Sequence, residues 1–538
     1  MSAAPHLSPS LFGLFAHHGK PLRGLMSTAT SPEFQGRFGR MFRSLPAAKY
    51  GATDDESRAA LLALGQAMTA SIDAAKDGAD PEESGIPALY TYLGQFIDHD
   101  ITFDPMTTLI QHSDPDALTD FRTPAFDLDN VYGRGPSDQP YMYAGSMKFL
   151  LGDKLDNGAT DLPRNGANPA RALIGDPRND ENSIVSQLQG LFLRFHNRVV
   201  DDNPGADFGA IQQIVRFHYQ WIILNDFLPR IIHSSVLDEL KSADGKFDSA
   251  KLKFFHWKNE PFMPVEFSVA AYRLGHSMIR PGYRLNDDDT TLLPIFPVPP
   301  TDPAKGLTGF QKMSSNRGID WARFIDVEIR SYGPTNIPDG TPPVFPPAKD
   351  RLQFAYRIDT SLVNPLSDLP QSVASDPPPS LPQRNLIRGF ELGLPSGQDV
   401  ARTMGVKVME DGEITIGKFV DQPQGGDDPD IRGTIGSIGQ LKAFRGKCPL
   451  WTYILAEARN YQRTVTIPVS ENQNIAKPPL QISTPQLGPV GGRLVAEVFL
   501  GLMFGDNDSM LQLDPNWTPT IVGPDFGLKD FVNYALGK

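Results

Sequence analysis

The sequence predicts a mainly α protein: one large helical domain with long proline-rich loops and little β-structure. Three observations predict it. Apolar residues recur at helical spacing in several segments. The 49 prolines gather in stretches such as PIFPVPPTDP at 294–303, PTNIPDGTPPVFPP at 334–347 and NPLSDLPQSVASDPPPSLPQ at 364–383, where the missing N–H forbids a helix interior. Strand signals are weak, with one candidate hairpin, KVMEDGEITIG at 407–417.

Along the chain, residues 1–83 read as an N-terminal arm with one helix near Glu56 to Ala75, and residues 84–538 as one large domain. No repeat and no linker divides the larger part. Pro87 to Asp100 carries Leu89, Leu93, Phe96 and Ile97 on one helical face. Ile184 to Val200 repeats the pattern with Leu188, Leu191, Phe192 and Phe195. Ile211 to Leu228 is apolar and aromatic nearly all round, which predicts deep burial. Val265 to Ile279 is a further helix and carries His276. Loops as long as the proline-rich ones usually cover or shape a site.

Composition narrows the function classes. The net charge of −13 argues against nucleic acid and anionic membranes, which favour a basic face. Cys448 is the one cysteine, so neither an intrachain disulfide nor a CxxCH haem attachment can form. No apolar run approaches the ~20 residues of a membrane span. Leu11 to Ala16 is broken by Gly13 and no basic region precedes it, so no Sec signal is read; the expected location is cytoplasmic, or exported by another route.

The chemistry-bearing residues fall in a few places. In TYLGQFIDHDITFDP, Gln95, Asp98 and His99 share one helical face, and Asp100 is turned about 100° from His99. A polar trio beside Leu93 and Phe96 is costly to bury without a partner. A satisfied core histidine with surface acids explains this segment equally well, and a divalent-metal phosphohydrolase using His99 and Asp100 is another reading. In GDPRNDENS, Arg178 and Glu181 stand at a helix start, where a plain charge pair is the simpler account. In EFSVAAYRLGHSMI, Arg273 and His276 are three apart, with small Ala270, Ala271 and Gly275 nearby to admit something flat. Asn385 and Arg388 precede a GLPSGQD turn; an Asn can fix the tautomer of a ligand histidine, and an ordinary polar loop is the alternative.

Taken together and in order, GQFIDHDITF, TPAFDLDNVYG, GDPRNDEN…LFLRFHNR, AAYRLGHSMI and RNLIRGFELGLPSGQD resemble the animal-type haem peroxidases of the peroxidase–cyclooxygenase superfamily. The bacterial members look closest, and the match runs from about Ile86 to the C-terminal GGRLVAEVFLGLMFGDNDSM. The resemblance implies a haem b held by His276 with Asn385 as its hydrogen-bond partner, and His99, Gln95 and Arg178 as the catalytic residues opposite. It places Arg273 and Arg388 near the haem, where a planar cation suits a propionate. It also implies calcium, bound by Asp100, Thr123, Ala125 through its carbonyl, Asp127 and Asp129, an oxygen set suited to a hard cation.

Asp98 and Glu181 match positions that form ester links to haem in some members, so such links are allowed here. Asn182 stands where one member has a sulfonium-forming methionine, so that link cannot form. Hydrogen peroxide is the implied oxidant; small organic donors, bromide, iodide or thiocyanate are expected ahead of chloride. Two other readings stay open. A fatty-acid dioxygenase of the same superfamily needs a tyrosine three before the proximal histidine, where this chain has Arg273, with Tyr272 adjacent. A non-catalytic calcium-stabilised scaffold would need none of the histidines.

Overall fold

The computed structural model describes residues 38–71, 82–102, 122–289, 291–298, 302–328, 352–371, 373–374, 376–419, 431–467 and 480–538. Its longer helices are α1 (Asp54–Ala67), α2 (Leu89–Ile101), α3 (Ser183–Asp202), α4 (Phe208–Ile222), α5 (Leu381–Glu391), α6 (Gly397–Met404), α7 (Leu450–Ala458), α8 (Pro489–Gly505) and α9 (Leu528–Leu536). Among the described residues the strands are short and pair in twos. They include β1 (Glu83–Pro87) with β2 (Phe354–Tyr356), β3 (Thr415–Gly417) with β4 (Ile431–Thr434), and β5 (Gln462–Ile467) with β6 (Leu480–Pro485). The chain is mainly α, as its sequence predicts.

One contiguous apolar core runs from Phe38 to Ala535. Helix α2 enters it through Leu89, Leu93, Phe96 and Ile97, all fully buried. Each such side chain contributes roughly 1.5–3 kcal/mol of transfer free energy. The Phe96 ring stacks on Phe192 of α3 at 4.3 Å, which sets α2 against α3. Phe195, one turn along α3, stacks on Phe531 of α9 at 4.7 Å. Residues 38–68 share this core: Phe42, Leu61, Leu64 and Met68 are buried in it, and Arg40 donates to the carbonyls of Leu392 and Gly393.

Several elements differ from the sequence expectation. Helix α1 begins at Asp54, where Thr53 Oγ1 accepts from the Glu56 N–H at 3.2 Å, and it ends at Ala67. The expected continuation to Ala75 fails at once, because Thr69 forms a bridge with Leu362 instead; residues 72–75, the loop at 334–347 and residues 1–37 lie outside the described residues. Helix α4 is buried as expected but widens at Ile223–Phe227 before a last turn at Leu228–Ile231. Pro229 has no N–H to keep a regular ladder there.

The expected helix over 265–279 is not an α-helix. It is a wide turn at Glu266–Ala270 followed by a tight 3-10 helix at Ala271–His276. Two side chains explain the change. The buried Glu266 carboxylate accepts from the N–H groups of Met41 and Phe42, and Arg273 Nε donates back to the Ser268 carbonyl. In a 3-10 helix residues three apart eclipse, so Arg273 and His276 still share a face. The hairpin expected at 407–417 is also absent. Glu413 accepts from the Glu410 N–H and from Lys407 Nζ, closing a turn without a second strand, and Thr415–Gly417 pairs instead with Ile431–Thr434.

Candidate active site

Helix α2 meets the His276 turn where Arg273 Nη1 lies 3.6 Å from Asp98 Oδ2 and the Tyr272 hydroxyl donates to the Gly94 carbonyl at 3.2 Å. Asp98 precedes His99 on α2 and Arg273 shares its 3-10 helix with His276, so this ion pair brings the two histidine-bearing segments together. Gln95, Asp98, Arg178, Glu181, Arg273 and His276 lie inside the molecule yet keep accessible surface. The space these half-buried side chains border is the candidate cleft.

His99 Nδ1 is 2.7 Å from Asn179 Oδ1. The Asn179 amide nitrogen donates to Gln189 Oε1 at 2.8 Å, which fixes the carboxamide so that its oxygen faces the imidazole. His99 Nδ1 therefore carries the proton, and Nε2 keeps its lone pair. Burial, reinforced by Arg178, lowers the His99 pKa to about 4, so the ring is neutral at neutral pH.

On the other side, His276 Nδ1 is 2.7 Å from the Asn385 carboxamide nitrogen. A half-turn of that amide presents its oxygen to a protonated Nδ1, the form a ligand imidazole requires. Burial and then Arg273 lower the His276 pKa to about 3. Among the described residues neither His99 Nε2 nor His276 Nε2 has a hydrogen-bond partner, yet neither is sealed off, in contrast to the fully enclosed His218 Nε2. Both neutral nitrogens are open to the cleft.

The other expected residues are placed as follows. Gln95 Nε2 donates to Glu181 Oε1, and Asn182 Nδ2 donates to Gln95 Oε1 at 3.3 Å. Burial pushes the Glu181 pKa up to about 7. Glu181 is not in a helix first turn; it closes a 3-10 turn at Pro177–Asp180, and Asn182 caps α3. Arg178 Nη2 donates to the carbonyls of His99 and Thr102 at 3.0 and 2.7 Å, the negative end of α2. Asp176 holds Arg178 through Nη2 at 2.8 Å and Nε at 3.2 Å. Arg388 lies one turn beyond Asn385 on α5. Of the small residues near His276, only Gly275 faces open space; Ala270 and Ala271 are sealed in the core, so they cannot border a flat ligand.

A second cluster stands behind α2. Asp100, Asp127 and Asp129 are buried, each with an oxygen within 4.8 Å of the others. Asp100 Oδ1 is fully buried without a hydrogen-bond partner. Burial, then Asp127 and Asp129, push the Asp100 pKa well up. So concentrated a negative charge fits a hard cation. Thr123 and Ala125 belong to the same loop, where the Ala125 N–H donates to the Thr123 carbonyl at 2.7 Å.

Sequence reasoning missed Asn179, Arg122 and Asp176. Arg122 Nη1 bonds Asp129 Oδ1 at 2.7 Å, and its Nη2 bonds Asp176. Burial opposes ionisation of Asp176, but Arg122 and Arg178 outweigh it and hold the carboxyl well below its ordinary range. A charge chain thus runs Asp129–Arg122–Asp176–Arg178. The only trace in the sequence is the polar density of GDPRND.

Residues 111–299 match the family model described as animal haem peroxidase. That stretch of the chain is similar to an animal haem peroxidase domain. Among curated proteins this chain is 27% identical to chorion peroxidase of Drosophila melanogaster over 153 residues, 27% of this chain and 19% of that one. It is 29% identical to thyroid peroxidase of Homo sapiens over 123 residues, 21% of this chain and 12% of that one. The matches thus span under a fifth of those relatives. Peroxidase A from Dictyostelium discoideum shares the fold, with a TM-score of 0.54 at 15% identity, covering 93% of this chain and 92% of that one. No helix among the described residues is long and apolar enough to cross a membrane.

Proposed function

We propose that this chain is a haem peroxidase that uses hydrogen peroxide to oxidise small organic donors or halides, with bromide, iodide and thiocyanate ahead of chloride. One observation carries the reading: two buried neutral imidazoles, each held at Nδ1 by an asparagine, turn unpartnered Nε2 atoms to one cleft.

A haem b bound there would be held by His276 Nε2, with Asn385 on Nδ1 making the ring a better donor. Arg273 and Arg388 would meet the propionates, and Asp98 and Glu181 are the carboxyls available for ester links. The haem supplies the redox chemistry of O–O cleavage. The residues of the chain handle the protons. His99 Nε2 accepts a proton from bound peroxide and returns it to the departing oxygen. Asn179 keeps the ring in the tautomer that can do so. Arg178 supplies positive charge as negative charge grows on that oxygen, and Asp176 fixes where it stands. Gln95, tied to Glu181, orders the cleft wall. Calcium at Asp100, Asp127, Asp129, Thr123 and the Ala125 carbonyl would anchor the end of α2 beside His99.

The test is the absorption spectrum of haem-loaded protein, followed by stopped flow with equimolar hydrogen peroxide, for the wild type and His276→Ala. A Soret band that falls promptly and recovers with guaiacol or bromide is expected, with that response lost in the variant. A wild type that binds no haem, or ignores peroxide, sinks the reading in favour of a scaffold.

A further inference from the structure

A row of aromatic rings leads away from Tyr92 of α2, beside the candidate haem cleft. Tyr92 stands three residues before Gln95 and seven before His99, on their face of α2. Its ring packs edge-on against Tyr283 at 5.5 Å. The Arg280 N–H also donates to the Tyr283 oxygen at 3.0 Å. Tyr283 stacks on Phe324 at 6.0 Å and 19°, and Phe324 meets Trp321 at 6.4 Å. Tyr283 and Phe324 are fully buried; Trp321 and Tyr92 nearly so.

The row ends at a cavity. Trp321 lines a cleft of about 400 Å³ together with Ile319, Val327, Arg194, Asp287 and Asp320. None of these residues belongs to the site around His99 and His276. The volume suits a one- or two-ring molecule, and the mix of an indole, aliphatic walls and polar groups suits an aromatic guest with a polar substituent. Its polar walls carry both signs, with Arg194 and Lys538 beside Asp320 and beside Asp287, which pairs with Arg323 at 2.6 Å.

We propose that the Trp321 cleft is a second donor site, where an aromatic amine or phenol gives one electron that reaches the haem cleft through Trp321, Tyr283 and Tyr92. The proposal rests on the peroxidase reading above. Indole and phenol rings are oxidisable and serve as stations, while Phe324 bridges between them. Electron transfer falls off steeply with distance, so rings in contact outpace a single jump across the same span. The balance is simple. Two donors each break one N–H or O–H bond and release an electron inward and a proton to water in the cleft. One hydrogen peroxide takes up two electrons and two protons and leaves as two waters, and two donor radicals remain. Trp321, Tyr283 and Tyr92 end unchanged, each oxidised ring regaining its electron, and any proton it shed, as the next electron arrives. The arrangement admits donors that cannot reach the haem cleft.

The test uses the haem-loaded wild type, Trp321→Phe, Tyr92→Phe and Tyr92→Trp, with matched Soret and circular dichroism spectra. Each is mixed with hydrogen peroxide and a nitroso spin trap, and the adduct is mapped by peptide mass spectrometry. A wild-type adduct at Trp321 is expected, lost in Tyr92→Phe and regained in Tyr92→Trp. In parallel, kcat/KM for tetramethylbenzidine should fall by about an order of magnitude in Trp321→Phe and Tyr92→Phe, with bromide oxidation and the initial peroxide step unchanged. If the wild type reacts with peroxide but Trp321 gains no adduct, or Trp321→Phe oxidises tetramethylbenzidine at the wild-type rate, the second site is refuted and the peroxidase reading survives. A wild type that ignores peroxide removes both.

Discussion

Asn179 accepts a hydrogen bond from Nδ1 of His99 at 2.7 Å, and Gln189 in turn accepts from Asn179. The pair decides which imidazole nitrogen carries the proton, and therefore whether His99 offers a base to the cleft or a blocked N–H.

Replacing Asn179 with Leu removes that control while keeping the side chain's size. The initial reaction with peroxide is expected to slow by roughly 10–100-fold, as for other partners that orient a histidine. Haem content and the ferric Soret position should hold, since His276 is untouched. Stopped flow at several peroxide concentrations measures it, and an unchanged second-order rate would show that the tautomer is set by something else.

The charge chain from Asp129 to Arg178 gives effects of opposite sign. Arg122→Met takes a cation from between Asp129 and Asp176, both buried. Cation affinity should rise, because the acidic cluster loses its internal counter-charge, and terbium luminescence reads this directly. Stability in chelator should fall by about 3 kcal/mol, the scale for breaking a buried ion pair. Peroxide reactivity should drop as well, because Asp176 loses half of its support. Weaker terbium binding in the variant would contradict this arrangement.

Treating the wild type with a chelator tests the cluster itself. Chelation should lower Tm, and added calcium should restore it in a concentration-dependent way. Asp127→Asn should reduce the size of that calcium-dependent shift. A Tm indifferent to both chelator and calcium would leave Asp100, Asp127 and Asp129 as three carboxyls relieved by protons alone.

Glu457 gives a pH dependence away from the cleft. It is fully buried on α7, and its carboxylate accepts from the N–H groups of Val490 and Gly491 at the start of α8. Burial nevertheless raises its pKa to about 7. The folded state thus holds this proton more tightly than the unfolded chain, so the contribution is full below about pH 4.5 and fades as pH rises through 7. Denaturant melts of Glu457→Gln and wild type should show the variant losing less stability between pH 5 and pH 8, by about 2–3 kcal/mol. Parallel profiles for the two proteins would count against the assignment.

Tyr272 discriminates between reaction types. Its hydroxyl is bound to the Gly94 carbonyl, and its ring stacks on Phe267 at 4.8 Å. Tyr272→Phe should cost about 1 kcal/mol of stability, the usual worth of one hydrogen bond, and leave peroxide turnover intact. Oxygen uptake with a long-chain fatty acid that disappears in this variant would favour the dioxygenase reading instead.

Local pattern made α2, α3 and α4 legible, because their apolar spacing is a property of adjacent turns. The co-location of Gln95, Asp98 and His99 followed from the same geometry. The Asp100, Asp127 and Asp129 cluster needed the family resemblance to be noticed. What stayed hidden depends on groups distant in the chain. Asn179 reaches His99 across 80 positions, and Glu266 finds its partners at Met41 and Phe42. That second contact accompanies the change from α-helix to 3-10 at His276, and no window around 266–276 contains it. The hairpin at 407–417 misled for a similar reason: β3 takes its partner from residues 431–434.

Those distant contacts also set an order of events during synthesis. His276 emerges from the ribosome 109 residues before Asn385, and Glu83 emerges 197 residues before Arg280, its buried ion-pair partner. A nascent chain that has exposed both histidines therefore still lacks the amide that steadies one of them and the α5 segment that carries it. Cofactor capture must wait until most of the polypeptide is made, and a chain stalled before residue 385 would present half a binding site to whatever metal or porphyrin is at hand.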